Sequence, residues 1–337
     1  MGRPMRYRTL GRTDLKISEI GFGCGNNAVL MVRASHEEQL KAVRRALDLG
    51  INYFDTAMAY GRGKSETNLG KILGTLGVDP VLSTKVRLGP EALTSLKAAT
   101  VVAAEQSLKR LGRESVDLIQ MHNRVVLDRK NGARLGLTPP EVLGPEGVLA
   151  GFKLLREQRK VRYFGFTGLG DPQALCTLID SGEFNSFQAY YNLLNPSAGQ
   201  SVSSAFSALD YGKLIDQAAK HGMGVAVIRV LAAGALTSNP TAGGGSSPEP
   251  LSPGSDYALD LERAEKVKFL ASRDMNLSQA AIRFALMKPG VSTVLVGFSN
   301  TRHIDEAVAC SATGGLSQEA MARLRRLWDS DFERLNP

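Results

Sequence analysis

From residue 19 almost to its end, the chain alternates short apolar runs with longer amphipathic stretches. No other feature constrains its fold as tightly. Strand-like runs fall at 19–23, 51–54, 81–86, 116–121, 161–167, 186–190, 224–230 and 293–297. Between them apolar residues recur at helical spacing, as over 37–49, 92–111, 148–158, 205–221 and 259–272. A strand that leads through a helix into the next strand makes a crossover, and crossovers join parallel neighbours. Eight such units in 337 residues predict an α/β protein closed as a (β/α)8 TIM barrel, a fold that takes about 250 residues before insertions. Residues 5–17 are expected to form an N-terminal β-hairpin under the barrel, and 317–329 an extra C-terminal helix outside it. Nothing beyond this rhythm repeats and no composition break divides the chain, so one domain over 1–337 is expected.

Two segments carry no such pattern. Residues 124–146 follow the fourth run and are rich in Gly, Pro and charge. Residues 237–257 follow the seventh and include Gly243-Gly244-Gly245-Ser246-Ser247-Pro248. Both lie after strands, at the mouth where barrel chemistry sits, and long loops there are commonly functional.

Several function classes are set aside. No apolar run is long enough to span a bilayer, and Met1-Gly2-Arg3-Pro4-Met5-Arg6 has no apolar signal core. The three cysteines, Cys24, Cys176 and Cys310, are widely separated, which argues against a disulfide framework. A reducing cytoplasm is the expected location. The four histidines, His36, His122, His221 and His303, are equally dispersed, so no metal site is expected. The formal charge of +8 raises nucleic acid as a partner. However, the basic residues stand in short helix-like groups broken by acids and without interleaved aromatics. They read as solvated helix faces, with a modest pull on anionic cofactors or substrates as the second reading, and neither nucleic acid nor a membrane is expected as a partner. Oligomeric state is not encoded in any motif.

Chemistry-bearing residues stand where strands should end. Asp55-Thr56-Ala57 and then Tyr60-Gly61 follow the second run, Ser83-Thr84-Lys85 lies on the third, and Gln120-Met121-His122-Asn123 closes the fourth. A tyrosine hydroxyl titrates near about 10. A neighbouring Lys85 ammonium is expected to favour its tyrosinate and to draw that value down. Asp55 is the natural counter-charge for a partly buried Lys85. Tyr60 would then give a proton to a developing alkoxide, or take one in the oxidative direction, with His122 orienting the same oxygen. Such a set moves a proton but carries no hydride, so a cofactor and a small carbonyl or alcohol substrate are implied.

With these residues in place, the chain resembles an aldo-keto reductase along nearly all its length. Tyr7-Arg8-Thr9-Leu10-Gly11-Arg12-Thr13 through Gly21-Phe22-Gly23 is similar to the family's N-terminal segment, and Asn52-Tyr53-Phe54-Asp55-Thr56-Ala57 with Tyr60-Gly61 to its best-known signature. Asp117-Leu118-Ile119-Gln120-Met121-His122 and the later Ser278-Gln279-Ala280-Ala281-Ile282-Arg283 resemble two further segments. The resemblance implies Asp55, Tyr60, Lys85 and His122 as catalytic tetrad and NADP(H) or NAD(H) bound directly at the barrel mouth. It carries cofactor contacts over to Thr167, Gly168, Gln188, Arg229, Leu231, Gly297, Ser299, Arg302 and Glu306. It also implies that the Gly/Ser loop after the seventh strand folds over the pyrophosphate. Thr167-Gly168 stands where the family usually has Ser-Asn. Phe298 stands where NADP-binding relatives often have Lys or Arg, so NADP and NAD both stay open. The activity implied is reversible reduction of an aldehyde or ketone. The alternatives are an NAD-dependent sugar dehydrogenase working oxidatively and a low-turnover cofactor-binding sensor subunit.

Two other dehydrogenase signatures fail. Gly21-Phe22-Gly23-Cys24-Gly25 has the wrong glycine spacing for a dinucleotide fingerprint, and the Tyr60–Lys64 pair, spaced as in short-chain dehydrogenases, is interrupted by Gly61 and Gly63.

Overall fold

The structure, a computed structural model, describes residues 4–129, 136–238 and 256–334. Strands β1 (Tyr7–Thr9) and β2 (Lys16–Ser18) form an antiparallel hairpin. Eight more make a closed, all-parallel barrel: β3 (Ile20–Gly23), β4 (Tyr53–Asp55), β5 (Val81–Val86), β6 (Val116–Met121), β7 (Val161–Thr167), β8 (Ser186–Tyr190), β9 (Gly224–Ile228) and β10 (Val291–Gly297). They pair in chain order, and β10 closes on β3 through Val294↔Ile20. The expected (β/α)8 barrel, hairpin and C-terminal helix are all present.

Alternation along each strand explains why the runs look continuously apolar. Phe22, Phe54, Leu82, Ile119, Phe164, Phe187, Val227 and Val294 face outward into one large core shared with the surrounding helices. Tyr53, Leu118, Ala226 and Leu295 face inward and meet Leu10, Leu15 and Ile17 of the hairpin segment. A parallel sheet buried on both faces needs apolar residues at both parities. The hairpin plugs the barrel's lower end. Its turn needs glycine at Gly11, where φ is +53° and a Cβ would lie 2.2 Å from the Gly224 nitrogen. The Arg12 guanidinium clamps that turn down by donating to the carbonyls of Gly182, Phe184 and His221. Towards the C-terminal strand ends the inward row turns polar. Asp55, Ser83, Lys85, Gln120, Thr167 and Gln188 are all buried there.

The returning helices include His36–Asp48, Lys64–Leu76, Leu96–Leu111, Val148–Glu157, Pro172–Asp180, Leu214–Lys220, Leu277–Leu286 and Thr301–Val308. Helix Gln318–Asp329 packs outside, with Trp328 donating to the Leu193 carbonyl at 3.0 Å. No helix of the described residues is long and apolar enough to cross a membrane.

Two expectations are corrected. The helix expected over 205–221 begins only at Leu214. Asn195 and Ser197 capture the preceding backbone at the Leu209 carbonyl and the Tyr211 amide, and Gly212 and Lys213 turn left-handed at φ 56° and 59°. The segment 124–146 is not wholly irregular. Val125 bridges both Leu137 and Gly170, and Thr138 opens a short helix, Pro139–Leu143, through a capping box with Glu141. Residues 130–135 of that segment, and 239–255 of the expected pyrophosphate loop, lie outside the described residues.

Candidate active site

The polar layer at the mouth is built around one buried carboxylate. Asp55 ends β4 facing inward, paired in register with Ser83 of β5, and is 3% exposed. Its Oδ1 accepts from the Lys85 ammonium, which is itself only 1% exposed. Its Oδ2 accepts from Gln188 Nε2 at 2.7 Å and, more weakly, from Gln120 Nε2 at 3.4 Å. Removing two charges from water costs several kcal/mol each unless partners satisfy them. Here the satisfaction is dense. The Lys85 ammonium also donates to the Thr56 carbonyl at 2.9 Å and to the Tyr60 hydroxyl at 3.3 Å.

Tyr60 sits in a tight turn between β4 and helix Lys64–Leu76, with Gly61 at φ 60° and Arg62 at φ 54°. Asn26 holds that turn by accepting from the Gly61 amide at 2.8 Å. The Tyr60 ring lies under the Lys85 ammonium, 4.9 Å from the centroid, and edge-on to His122 at 5.8 Å. The tyrosine's pKa moves opposite to the sequence expectation. Burial drives it up, and although the Lys85 charge pulls it back, the net direction is upward. The resting hydroxyl therefore keeps its proton. Burial alone would lower Lys85, but Asp55 and Tyr60 outweigh it and hold the ammonium above its usual value. His122 is driven down to about 3 by burial, with the Lys85 and Arg87 charges adding to it. Its imidazole is neutral at physiological pH, and its buried Nδ1 has no partner among the described residues.

The residues expected to contact cofactor spread over β7 to β10. Thr167 and Gln188 are paired in register, and the Thr167 hydroxyl donates weakly to Gln188 Oε1 at 3.4 Å. Gly168 donates its amide to the Gln188 carbonyl at 2.8 Å, so that donor is already used. Beyond β9 the backbone turns left-handed at Arg229, Ala232 and Ala233, with φ of 57°, 46° and 58°. Such conformations cost about 1–3 kcal/mol each and cluster at functional turns. The Arg229 carbonyl accepts from Asn192, and the Leu231 carbonyl accepts from the Gly234 and Leu236 amides. Gly297 ends β10, where a Cβ would lie 2.7 Å from that of Ala28; beyond it Ser299 is exposed and Asn300 caps helix Thr301–Val308. Arg302 is 75% exposed and pairs with Glu306, which also accepts from Asn276.

Phe298 faces outward, 1% exposed, edge-on to Phe22 at 5.0 Å. Sequence reading gave no role to Gln120, Ser83 or the Thr56 carbonyl. The first two stand two residues before His122 and Lys85, and strand alternation was the signal that placed them inside.

A nicotinamide cofactor fits what is present. The buried His122 nitrogen has no partner among the described residues, and exposed Ser299 and Arg302 flank the start of a helix whose N-terminal end favours anions.

A plugged barrel with a proton-transfer cluster at its open end and an anion-tolerant turn beside it defines a single-barrel oxidoreductase. Comparison with known proteins makes this specific. The Aldo/keto reductase family model matches residues 19–329, and the chain belongs to that family, whose members act on small carbonyl compounds as NAD(P)-dependent oxidoreductases. It is 28% identical to L-galactose dehydrogenase of Arabidopsis thaliana, over 96% of this chain and 94% of that protein. It is 27% identical to a putative voltage-gated potassium channel subunit beta of Schizosaccharomyces pombe, over 90% and 87%. A solved aldo-keto reductase of Bacillus halodurans in its holo form shares the fold, with a TM-score of 0.72, 23% identity and 97% of each chain covered.

Proposed function

We propose that this chain, as one barrel domain over residues 1–337, reversibly reduces an aldehyde or ketone, with Tyr60 as general acid and base. The observation that carries the reading is the buried relay from Asp55 through Lys85 to the Tyr60 hydroxyl. Bound at the mouth, NADPH or NADH supplies the hydride. Thr167, Gly168, Gln188, Arg229, Leu231, Gly297, Ser299, Arg302 and Glu306 are the residues proposed to hold it. The Gly168 carbonyl, rather than its amide, is the group left for that purpose.

Tyr60 donates its proton to the substrate oxygen as negative charge gathers there. The tyrosinate left behind is stabilised by the Lys85 ammonium, which Asp55 and the Thr56 carbonyl hold in place. Because burial keeps Tyr60 protonated at rest, the acid form needed for reduction is the standing one at neutral pH. Neutral His122 offers a hydrogen bond to the same oxygen and adds no charge to the pocket. In the oxidative direction the same proton returns to Tyr60. Exposed Ser299 and Arg302 offer a 2′-phosphate a hydroxyl and a cation, which supports NADP(H), with NAD(H) the alternative.

A second reading follows from the channel-subunit relative: a barrel that retains cofactor and turns over slowly, as a sensor. The first is tested by mixing purified protein with benzaldehyde and NADPH, or NADH, and following loss of the reduced cofactor's absorbance. Turnover is expected, falling by about 10²–10⁴-fold in Tyr60→Phe. Cofactor binding without turnover in the wild type would favour the sensor.

A further inference from the structure

We infer that the substrate carries a carboxylate recognised by Arg87, which makes Arg87 a determinant of specificity. The inference rests on the proposed reacting end at Tyr60 and His122 and extends it to the far end of the substrate.

Strand β5 places Val81, Ser83 and Lys85 on the barrel's inner face, since Val81 joins the inner cluster, Ser83 bonds Gln120 and Lys85 bonds Asp55. Arg87 is the first residue after β5, and the same alternation continued one step puts it on that face, one layer nearer the opening. The register with β6 runs Lys85↔Gln120 and Val86↔Met121, so Arg87 follows beside His122. The His122 amide donates to the Val86 carbonyl at 2.8 Å, which carries the ladder to that point. The Arg87 charge is felt at the His122 ring and helps keep it neutral.

Arg87 is exposed, and no hydrogen bond or ion pair joins it to another described residue. Other arginines on the barrel's flanks are engaged: Arg8 with Glu19, Arg45 with Asp305, Arg110 with Glu66 and Arg162 with Asp14 and Asp117. A guanidinium without a partner among the described residues, in line with His122, raises the local preference for an anion. The residues assigned to cofactor occupy β7 to β10, across the mouth from β5. The anion Arg87 meets is therefore the substrate's own. One planar guanidinium matches one carboxylate through two parallel hydrogen bonds.

The test compares 4-carboxybenzaldehyde with its neutral isostere 4-formylbenzamide, in wild type and Arg87→Gln. A partly exposed charge-assisted contact is worth about tenfold. Wild type is expected to show about tenfold higher kcat/KM for the carboxylate, and Arg87→Gln to bring the ratio close to one. Calorimetric titration with 4-carboxybenzyl alcohol and 4-(hydroxymethyl)benzamide gives the same comparison without turnover. If wild type turns over neither aldehyde, yet binds the carboxylated alcohol tighter in an Arg87-dependent manner, the anion assignment stands and the Tyr60 reading falls. If wild type turns over both aldehydes without preferring the carboxylate, or Arg87→Gln keeps the preference, the Arg87 assignment is overturned and the Tyr60 reading is untouched. No carboxylate preference in either binding or turnover overturns it as well.

Discussion

The mouth of the barrel has two unlike arcs. On the arc from β4 to β6, Asp55 and Lys85 are carried on strands and nearly sealed from solvent, at 3% and 1% exposure, and Tyr60 is tied to them from the adjoining turn. They are held by side-chain hydrogen bonds to one another. On the arc from β9 to β10, the candidate residues sit in turns that follow strands. There the backbone is left-handed at Arg229, Ala232 and Ala233, and Ser299 and Arg302 are open to solvent. A proton transfer needs donor and acceptor fixed in advance, which strands and buried pairs provide. A long anionic cofactor needs backbone groups and exposed cations along a path, which turns and a helix start provide. Gln188 joins the two arcs, because its amide nitrogen holds Asp55 while its oxygen accepts from Thr167.

The sharpest way to break this contrast is to open the sealed arc. Lys85→Met leaves the Asp55 carboxylate buried without its cation. A loss of about 3–5 kcal/mol in urea unfolding is expected, together with loss of turnover. Full retention of stability would mean the pair is not the keystone of that arc. A smaller effect comes from pH. His122 has a folded pKa of about 3, below its unfolded value, so the unfolded chain binds more protons as pH falls. Stability from this group is complete above about pH 6.5 and declines below it, by at most about 1.4 kcal/mol per pH unit. His122→Asn should flatten that part of the profile in thermal melts between pH 7 and 5, and an unchanged slope would assign it elsewhere. On the open arc the effect should be smallest. Arg302→Ala is expected to weaken NADPH by about three- to tenfold and NADH by much less, since a lost exposed charge contact has that size.

The same contrast governs how much could be read from the sequence. The barrel was legible because apolar runs at both parities alternate with helical spacing, and Asp55, Lys85 and His122 were legible because they end strands. Gln120 and Ser83 lie on those same strands, but only the register shows that Gln120 reaches both Asp55 and Ser83. The packing of Phe298 against Phe22 was not legible, because one step past the inward-facing Gly297 exchanges inside for outside. The direction of Tyr60's shift depends on burial depth, which neighbouring charges in the sequence do not disclose. The truncated helix before Leu214 was hidden because Asn195 and Ser197 compete for its backbone from elsewhere in the chain.

The division of labour between the arcs is tested most directly by one paired measurement. Cofactor dissociation constants, from protein fluorescence, and kcat at saturating cofactor are determined together for Tyr60→Phe and Arg302→Ala. The account predicts a crossover: Tyr60→Phe loses kcat by orders of magnitude while binding cofactor as the wild type does, and Arg302→Ala binds NADPH more weakly while keeping its kcat. If Tyr60→Phe weakened cofactor binding as much as it slowed turnover, the tyrosine would belong to both arcs and the central claim would be wrong.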